Sequence, residues 1–184
     1  MNVIVLHGSP RKHGNSDTLA ESFLRGVQVE KDATITHFYL NELDIKACQG
    51  CLKCKTSIGH RCVISDDMQG IYTGYAEADI IVWASPMYWG YLTAQLKTVL
   101  DRMEALAWEQ FYNKTFVVLL TYRHHYESAA AFFERIAPYF NIDLHILHCC
   151  TYDKTSGNDI PISHFTDTLR QAYDLGRKLS YSTS

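Results

Sequence analysis

The sequence predicts an α/β protein in which five short strands alternate with five helices around one parallel sheet. Three observations carry this expectation. Apolar runs of strand length recur along the 184 residues, each bounded by turn or breaker residues. Between them lie stretches whose apolar residues fall three and four apart, the spacing of one helical face. No repeat, low-complexity tract or linker divides the chain, so residues 1–184 read as a single domain. Strands separated by helices join in parallel, with helices on both faces of the sheet.

The elements follow in order. "NVIVLH" (2–7) is a short apolar run that opens onto "GSPRKHGNS", which reads as a buried strand. Residues 16–28 set Leu19, Phe23 and Val27 four apart on a helical face, with Ser16 as the candidate N-cap. "TITHFYL" (34–40) alternates and is β-branched, so it reads as the second strand. A cysteine-rich loop occupies 47–66, and a short helix is expected from near Asp66 to about Ala76, with acids in its first turn. "ADIIVWAS" (78–85) is the third strand and should end at Pro86. "AQLKTVLDRMEAL" (94–106) is a helix on Leu96, Val99, Leu100 and Met103. "TFVVLLT" (115–121) is the fourth strand, and 127–140 a helix burying Phe132, Phe133, Ile136 and Phe140. "DLHILHCC" (143–150) is the fifth strand, and 163–180 the last helix, on Phe165, Leu169, Ala172 and Leu179.

This alternation fits a flavodoxin-like three-layer sandwich with a five-stranded parallel sheet in the order 2-1-3-4-5. Ligands of such sheets bind beyond the carboxyl ends of the strands, at the switch between the first and third. Chemistry is therefore expected in the loops after residues 7, 85 and 121.

Composition narrows the class. Hydrophobic residues make up 47% and charged residues 20%, as in soluble globular proteins. A net charge of −3 supplies no basic footprint for nucleic acid. No apolar run approaches the roughly 20 residues of a membrane span, and "MNVIVLHGSPRK" lacks the pattern of a secretory signal. The expected compartment is the cytoplasm. Thiols stay reduced there, so clustered cysteines suggest metal or redox chemistry more than disulfides.

The first loop, "HGSPRKHGNSDTL" (7–19), combines turn glycines with the donors Ser9, Arg11, Asn15, Ser16 and Thr18. A helix N-terminus beside them adds free N–H groups and partial positive charge, which makes a cradle for phosphate. It is neither a P-loop nor a dinucleotide fingerprint, since G-K-[ST] and G-x-G-x-x-G are both absent. A plain helix-capping turn is the competing account. In the second loop, Pro86, Met87, Tyr88, Trp89 and Gly90 follow a strand directly. A planar apolar ligand would cover these aromatics, and Gly90 would let backbone approach its heteroatoms. A subunit interface would cover them too.

"GSPRKHGNS", "CQGCLKC…C…DDM", "ADIIVWASPMYWG" and "AQLKTVLDR", in this order, resemble the NADPH-dependent FMN reductase family, in particular its iron–sulfur flavoprotein branch. The resemblance is specific over residues 1–121 and architectural beyond them. It implies FMN at the switch point, its phosphate held by Ser9, Arg11, Asn15, Ser16 and Thr18. Pro86, Met87, Tyr88, Trp89 and Gly90 would line the ring, and Thr121 and Tyr122 would complete the set. It further implies NAD(P)H as donor and a small acceptor: a flavin, quinone, nitro or azo compound, or metal. A homodimer or homotetramer is implied as well. One departure stands out: "TYRHHYESA" (121–129) replaces the usual Gly-rich third loop, bringing Tyr122, Arg123, His124 and His125 to the pocket or to the surface.

Cys48, Cys51 and Cys54 are spaced C-x2-C-x2-C, with Cys62 after seven more residues. A zinc ribbon pairs two distant C-x2-C knuckles, whereas this run looks like the turn around a ferredoxin [4Fe–4S] cubane. A loop without iron, its cysteines free thiols or disulfides, is the bland account. Gly50 and Gly59 would bend the loop. His7, His37, His145 and His148 read as packed or edge histidines, Cys149 and Cys150 as core, and Asp66 and Asp67 as helix-terminal acids. No Ser/His/Asp set stands out, which leaves three functions. These are an FMN-dependent NAD(P)H oxidoreductase, an iron–sulfur flavoprotein served by a ferredoxin-like donor, and a non-enzymatic zinc-binding module.

Overall fold

The computed structural model describes residues 1–29, 32–107 and 109–182. Its centre is a parallel sheet of β1 (Asn2–His7), β2 (Thr34–Tyr39), β3 (Ile80–Tyr88), β5 (Thr115–Tyr122) and β6 (Asp143–Cys150). Their order, β2-β1-β3-β5-β6, is the flavodoxin-like one expected of five parallel strands. A sixth strand, β4 (Tyr91–Leu92), corrects the strand count: it folds back antiparallel on β3. Trp89 (φ 51°) and Gly90 (φ 74°) both take left-handed conformations between them, as a two-residue hairpin requires.

Pro86 does not end β3. The last partner of β1 along this strand is Ala84, while β5 continues to Thr121 opposite Pro86. From Ser85 onward β3 is hydrogen-bonded to the parallel sheet on one side only, so a missing N–H is tolerated.

Alternate residues of the strands feed two cores. Ile4, Leu6, Ile81, Trp83, Phe116 and Val118 pack on one face, towards α3 (Met68–Glu77), α4 (Ala94–Arg102) and α5 (Glu127–Ile136). Val3, Val5, Ile80, Val82, Val117 and Leu119 pack on the other, towards α1 (Asn15–Gln28) and α6 (Thr166–Ser182). Burial on both faces explains why the strands read as continuous apolar runs.

Helix ends depart from the sequence expectations. The N-cap of α1 is Gly14, not Ser16, with no side-chain cap bond. The third predicted helix stops as α-helix at Arg102 and finishes as a 3₁₀ turn through Ala105. The fourth likewise tightens after Ile136, and of its four predicted core residues only Phe133 is fully buried. A four-residue helix, α2 (Lys53–Thr56), and a hairpin of β7 (Tyr152–Asp153) and β8 (Asn158–Asp159) were not foreseen. Among the described residues, no helix is long and apolar enough to cross a membrane.

Candidate functional site

The crevice beyond the carboxyl ends of β1, β3 and β5 holds a cavity of about 550 Å³, a volume typical of small-molecule sites. The loop after β1 contributes Ser9, Arg11, Asn15 and Ser16. The end of β3 and its hairpin contribute Pro86, Met87, Tyr88 and Trp89, and the end of β5 contributes Thr121 and Tyr122. Two predicted members fall outside. Thr18 spends its N–H on the Gly14 carbonyl inside the first turn of α1. Gly90 lines a neighbouring cavity of about 580 Å³ with Trp89, His124 and His125.

The side chains divide the work. Ser9 Oγ accepts from the Arg11 N–H (3.1 Å) and donates to the Arg11 carbonyl (2.9 Å), so it shapes the turn. Asn15 is a clamp: Nδ2 donates to the Ile160 carbonyl (3.1 Å) and Oδ1 accepts from the Ile162 N–H (3.0 Å). Arg11 extends exposed over the cavity, and the first turn of α1 leaves N–H groups without intrahelical acceptors. Arg11 and Ser16 line the cavity without internal hydrogen bonds of this kind.

Beneath it a chain of polar contacts runs from the buried pair His7 and Asp17 out to the exposed His37. His7 Nδ1 lies 2.9 Å from Asp17 Oδ1, and Asp17 Oδ2 accepts from the His13 N–H (2.9 Å). His7 Nε2 meets His37 Nδ1 at 3.0 Å, and the Tyr39 ring stacks on His7 at 4.3 Å. Asp17 thereby holds His13 in its left-handed conformation (φ 59°) and braces the loop above.

Of the crowded third loop, Tyr122 and Arg123 line the 550 Å³ cavity, and His124 and His125 the neighbouring one. The Tyr122 hydroxyl faces His148 Nδ1 at 3.2 Å, and His148 stacks on Tyr126 at 3.8 Å. Arg123 forms a two-pronged pair with Asp159, both contacts 2.8 Å. Arg123, foremost, then Arg11 hold the Asp159 carboxyl below its usual range. Arg123, Thr151 and Asp159 join the cavity wall, as does Gly14. Thr151 and Asp159 were missed because they follow the last strand, which the switch-point rule does not single out. The Gly/Asn turn of "TYDKTSGND" (151–159) was the available signal.

The four cysteines of the 47–66 loop line a second, small cavity of about 40 Å³, with Arg102 on its wall. All four are free thiols. Gly50 (φ 60°) and Gly59 (φ 68°) bend the loop as expected, and Leu52 also takes a left-handed conformation (φ 53°). Burial, then Glu104, pushes the Cys54 thiol up. Among the described residues, no three His, Cys, Asp or Glu side chains converge as a group that could hold a metal ion.

Asp66 is not mainly a helix-terminal acid. It accepts weakly from the Met68 N–H (3.2 Å), but its carboxylate grips Arg102 at 2.7 and 3.1 Å. Burial opposes the charge on Asp66, while Arg102 and the Lys46 N–H outweigh it and hold the carboxyl below its usual range. Asp67 instead accepts from the Asp44 N–H at 2.7 Å.

The chain has relatives among known proteins. It is 36% identical over 106 residues to an iron-sulfur flavoprotein of Methanocaldococcus jannaschii, covering 58% of this chain and 53% of the relative. An iron-sulfur flavoprotein of Archaeoglobus fulgidus is 34% identical over 108 residues, covering 56% and 46%. The chain thus spans about half the length of these relatives. In fold it is similar to an NAD(P)H:quinone oxidoreductase from Methanothermobacter marburgensis, with a TM-score of 0.69 and 18% identity over 97% of this chain and 96% of that one. A sequence model of the NADPH-dependent FMN reductase family matches residues 1–152, and the chain belongs to that family.

Proposed function

We propose that the chain binds FMN in the 550 Å³ cavity and uses NAD(P)H to reduce a small planar acceptor. One observation carries this: a phosphate-sized cradle and an aromatic shelf, from loops some 70 residues apart, line the same cavity at the switch of the parallel sheet. Arg11, Ser16 and the free N–H groups of α1 would neutralise the phosphate. Pro86, Met87, Tyr88 and Trp89 would flank the ring, with Thr121 and Tyr122 at its far edge. FMN, when bound, supplies the hydride and electron chemistry. The protein's part is to orient donor and acceptor on the open face, and no side-chain acid or base is required for hydride transfer. Asp159, delivered by the β7–β8 hairpin, pairs with Arg123 just beyond β5 at the exposed rim of this cavity. Trp89, fully exposed at the hairpin tip, supports a homo-oligomer that covers it.

A second reading has its own observation: four free thiols around one cavity support an iron–sulfur centre on Cys48, Cys51, Cys54 and Cys62. With both groups, the chain would relay electrons between a ferredoxin-like donor and FMN. Lys53, Lys55 and Arg61 would offset the thiolate charge.

Anaerobic purification tests both. Extracted ligand should have the mass of FMN, and NADH or NADPH should bleach the bound flavin in stopped flow. Recovery of FAD, or no uptake at micromolar FMN, would sink the first reading. About four irons and four sulfides per chain are expected for the second, and Cys51→Ser should abolish them while FMN stays bound. Protein that cannot be reconstituted with iron and sulfide would return the loop to a structural role.

A further inference from the structure

The Arg102 side chain, on the last turn of α4, is 1% exposed, and its partner Asp66 is 0% exposed. Nη1 spends both of its N–H groups and Nη2 one of its two. Nη1 donates to the Lys46 carbonyl and to Asp66 Oδ2, each at 2.7 Å, and Nη2 donates to Asp66 Oδ1 at 3.1 Å. Lys46 precedes the first cysteine and Asp66 follows the last, so a single guanidinium pins both ends of the cysteine loop. Asp66 reinforces the closure by accepting the Lys46 N–H at 2.9 Å.

The third nitrogen is the anomaly. Nε is buried with no hydrogen-bond partner, and a buried unpaired donor costs about 1–3 kcal/mol. Arg102 also lines the cavity that the four thiols share. Cys62 and the Tyr72 hydroxyl are near enough to act on the guanidinium, and that hydroxyl donates to the Arg102 carbonyl at 2.8 Å. An arginine kept dry, paired at one end and unpaired at the other, beside sulfur ligands, has a donor in reserve for something that enters the cavity.

We propose that Arg102 is the positioning residue of the thiol site: it closes the cysteine loop, and its Nε–H donates a hydrogen bond to a sulfur of an iron–sulfur centre held by Cys48, Cys51, Cys54 and Cys62. The inference rests on the iron–sulfur reading of this loop. Net charge and hydrogen bonds to sulfur set the potential of such centres. A fixed positive donor stabilises the reduced, more negative form, so Arg102 raises the reduction potential.

The test uses the full chain, reconstituted anaerobically with ferrous iron and sulfide and grown with guanidino-¹⁵N arginine. Pulsed electron paramagnetic resonance of the reduced centre should show ¹⁵N coupling. Arg61→Lys, which removes the other nearby arginine, should keep that coupling. Arg102→Gln should lose it and, in the centres that still load, shift the reduced-to-oxidised ratio at fixed potential about tenfold towards oxidised, or about 59 mV for one electron. A merely structural arginine would change iron retention without moving the potential of the centres that load. Iron-loaded wild type without ¹⁵N coupling overturns the proposal and needs no variant to fold. So does loss of the coupling in Arg61→Lys, or an unchanged potential in Arg102→Gln. Wild type that takes up no iron overturns the iron–sulfur reading itself, and this inference with it.

Discussion

The Arg11→Ala, Ser16→Ala double variant should bind FMN about a hundredfold more weakly than wild type, with the melting temperature of the flavin-free protein unchanged. A charge-assisted hydrogen bond is worth about 1.5–3 kcal/mol and a neutral one about 1, and about 1.4 kcal/mol is tenfold in affinity. Both side chains line the cavity, and neither carries a structural bond of the kind that occupies Ser9 and Asn15. Asn15→Ala is the contrasting variant. It removes the clamp on Ile160 and Ile162 and should lower the melting temperature by several degrees, since about 1 kcal/mol is at stake per bond. Fluorescence titration of FMN, whose emission changes on binding, measures the first, and thermal unfolding the second. Unchanged affinity in the double variant would move the phosphate out of this loop.

That contrast marks where sequence reading reached and where it stopped. The central strands were legible because both faces of the sheet are buried there, so each is an apolar run such as "NVIVLH", while the edge strand "TITHFY" was legible from its alternation and β-branched residues. The order followed from the alternation, and the order located the crevice. The loops after β1 and β3 were legible because turn glycines, donors and aromatics cluster there. The roles within them were not. Asn15 looks like a phosphate donor until its partners 145 and 147 residues away are known. Asp66 looks like a helix cap until Arg102, 36 residues on, is found against it. The β7–β8 hairpin escaped because two-residue strands have no period to read. Long-range side-chain pairing carries no local signature, and it decides which polar residues remain free for a ligand.

Gly26→Ala should be strongly destabilising, lowering the melting temperature by about 4–8 °C. Gly26 of α1 faces Gly176 of α6 across the tightest helix crossing. A Cβ on Gly26 would sit 2.0 Å from the Tyr173 carbonyl oxygen, and one on Gly176 would sit 2.1 Å from that of Phe23. Both obstacles are backbone, so no rotamer relieves them. The helices must separate by roughly 1 Å in a close-packed layer. Overpacking of this kind costs about 3 kcal/mol, more than the helix propensity gained, and each kcal/mol is worth about 2–4 °C at this chain length. The effect reaches the site, because the N-terminus of α1 forms part of the proposed phosphate cradle. FMN affinity should therefore fall in Gly26→Ala even though the residue lies at the far end of the helix. Gly70→Ala is the internal control. Gly70 is exposed in α3, and its added Cβ would meet nothing nearer than the Phe38 ring at 3.8 Å. That variant should melt at or above wild type, by up to about 1 kcal/mol of helix propensity. If Gly26→Ala and Gly70→Ala melted alike, α1 and α6 would not be in backbone contact, and the coupling between that contact and the cradle would go with it.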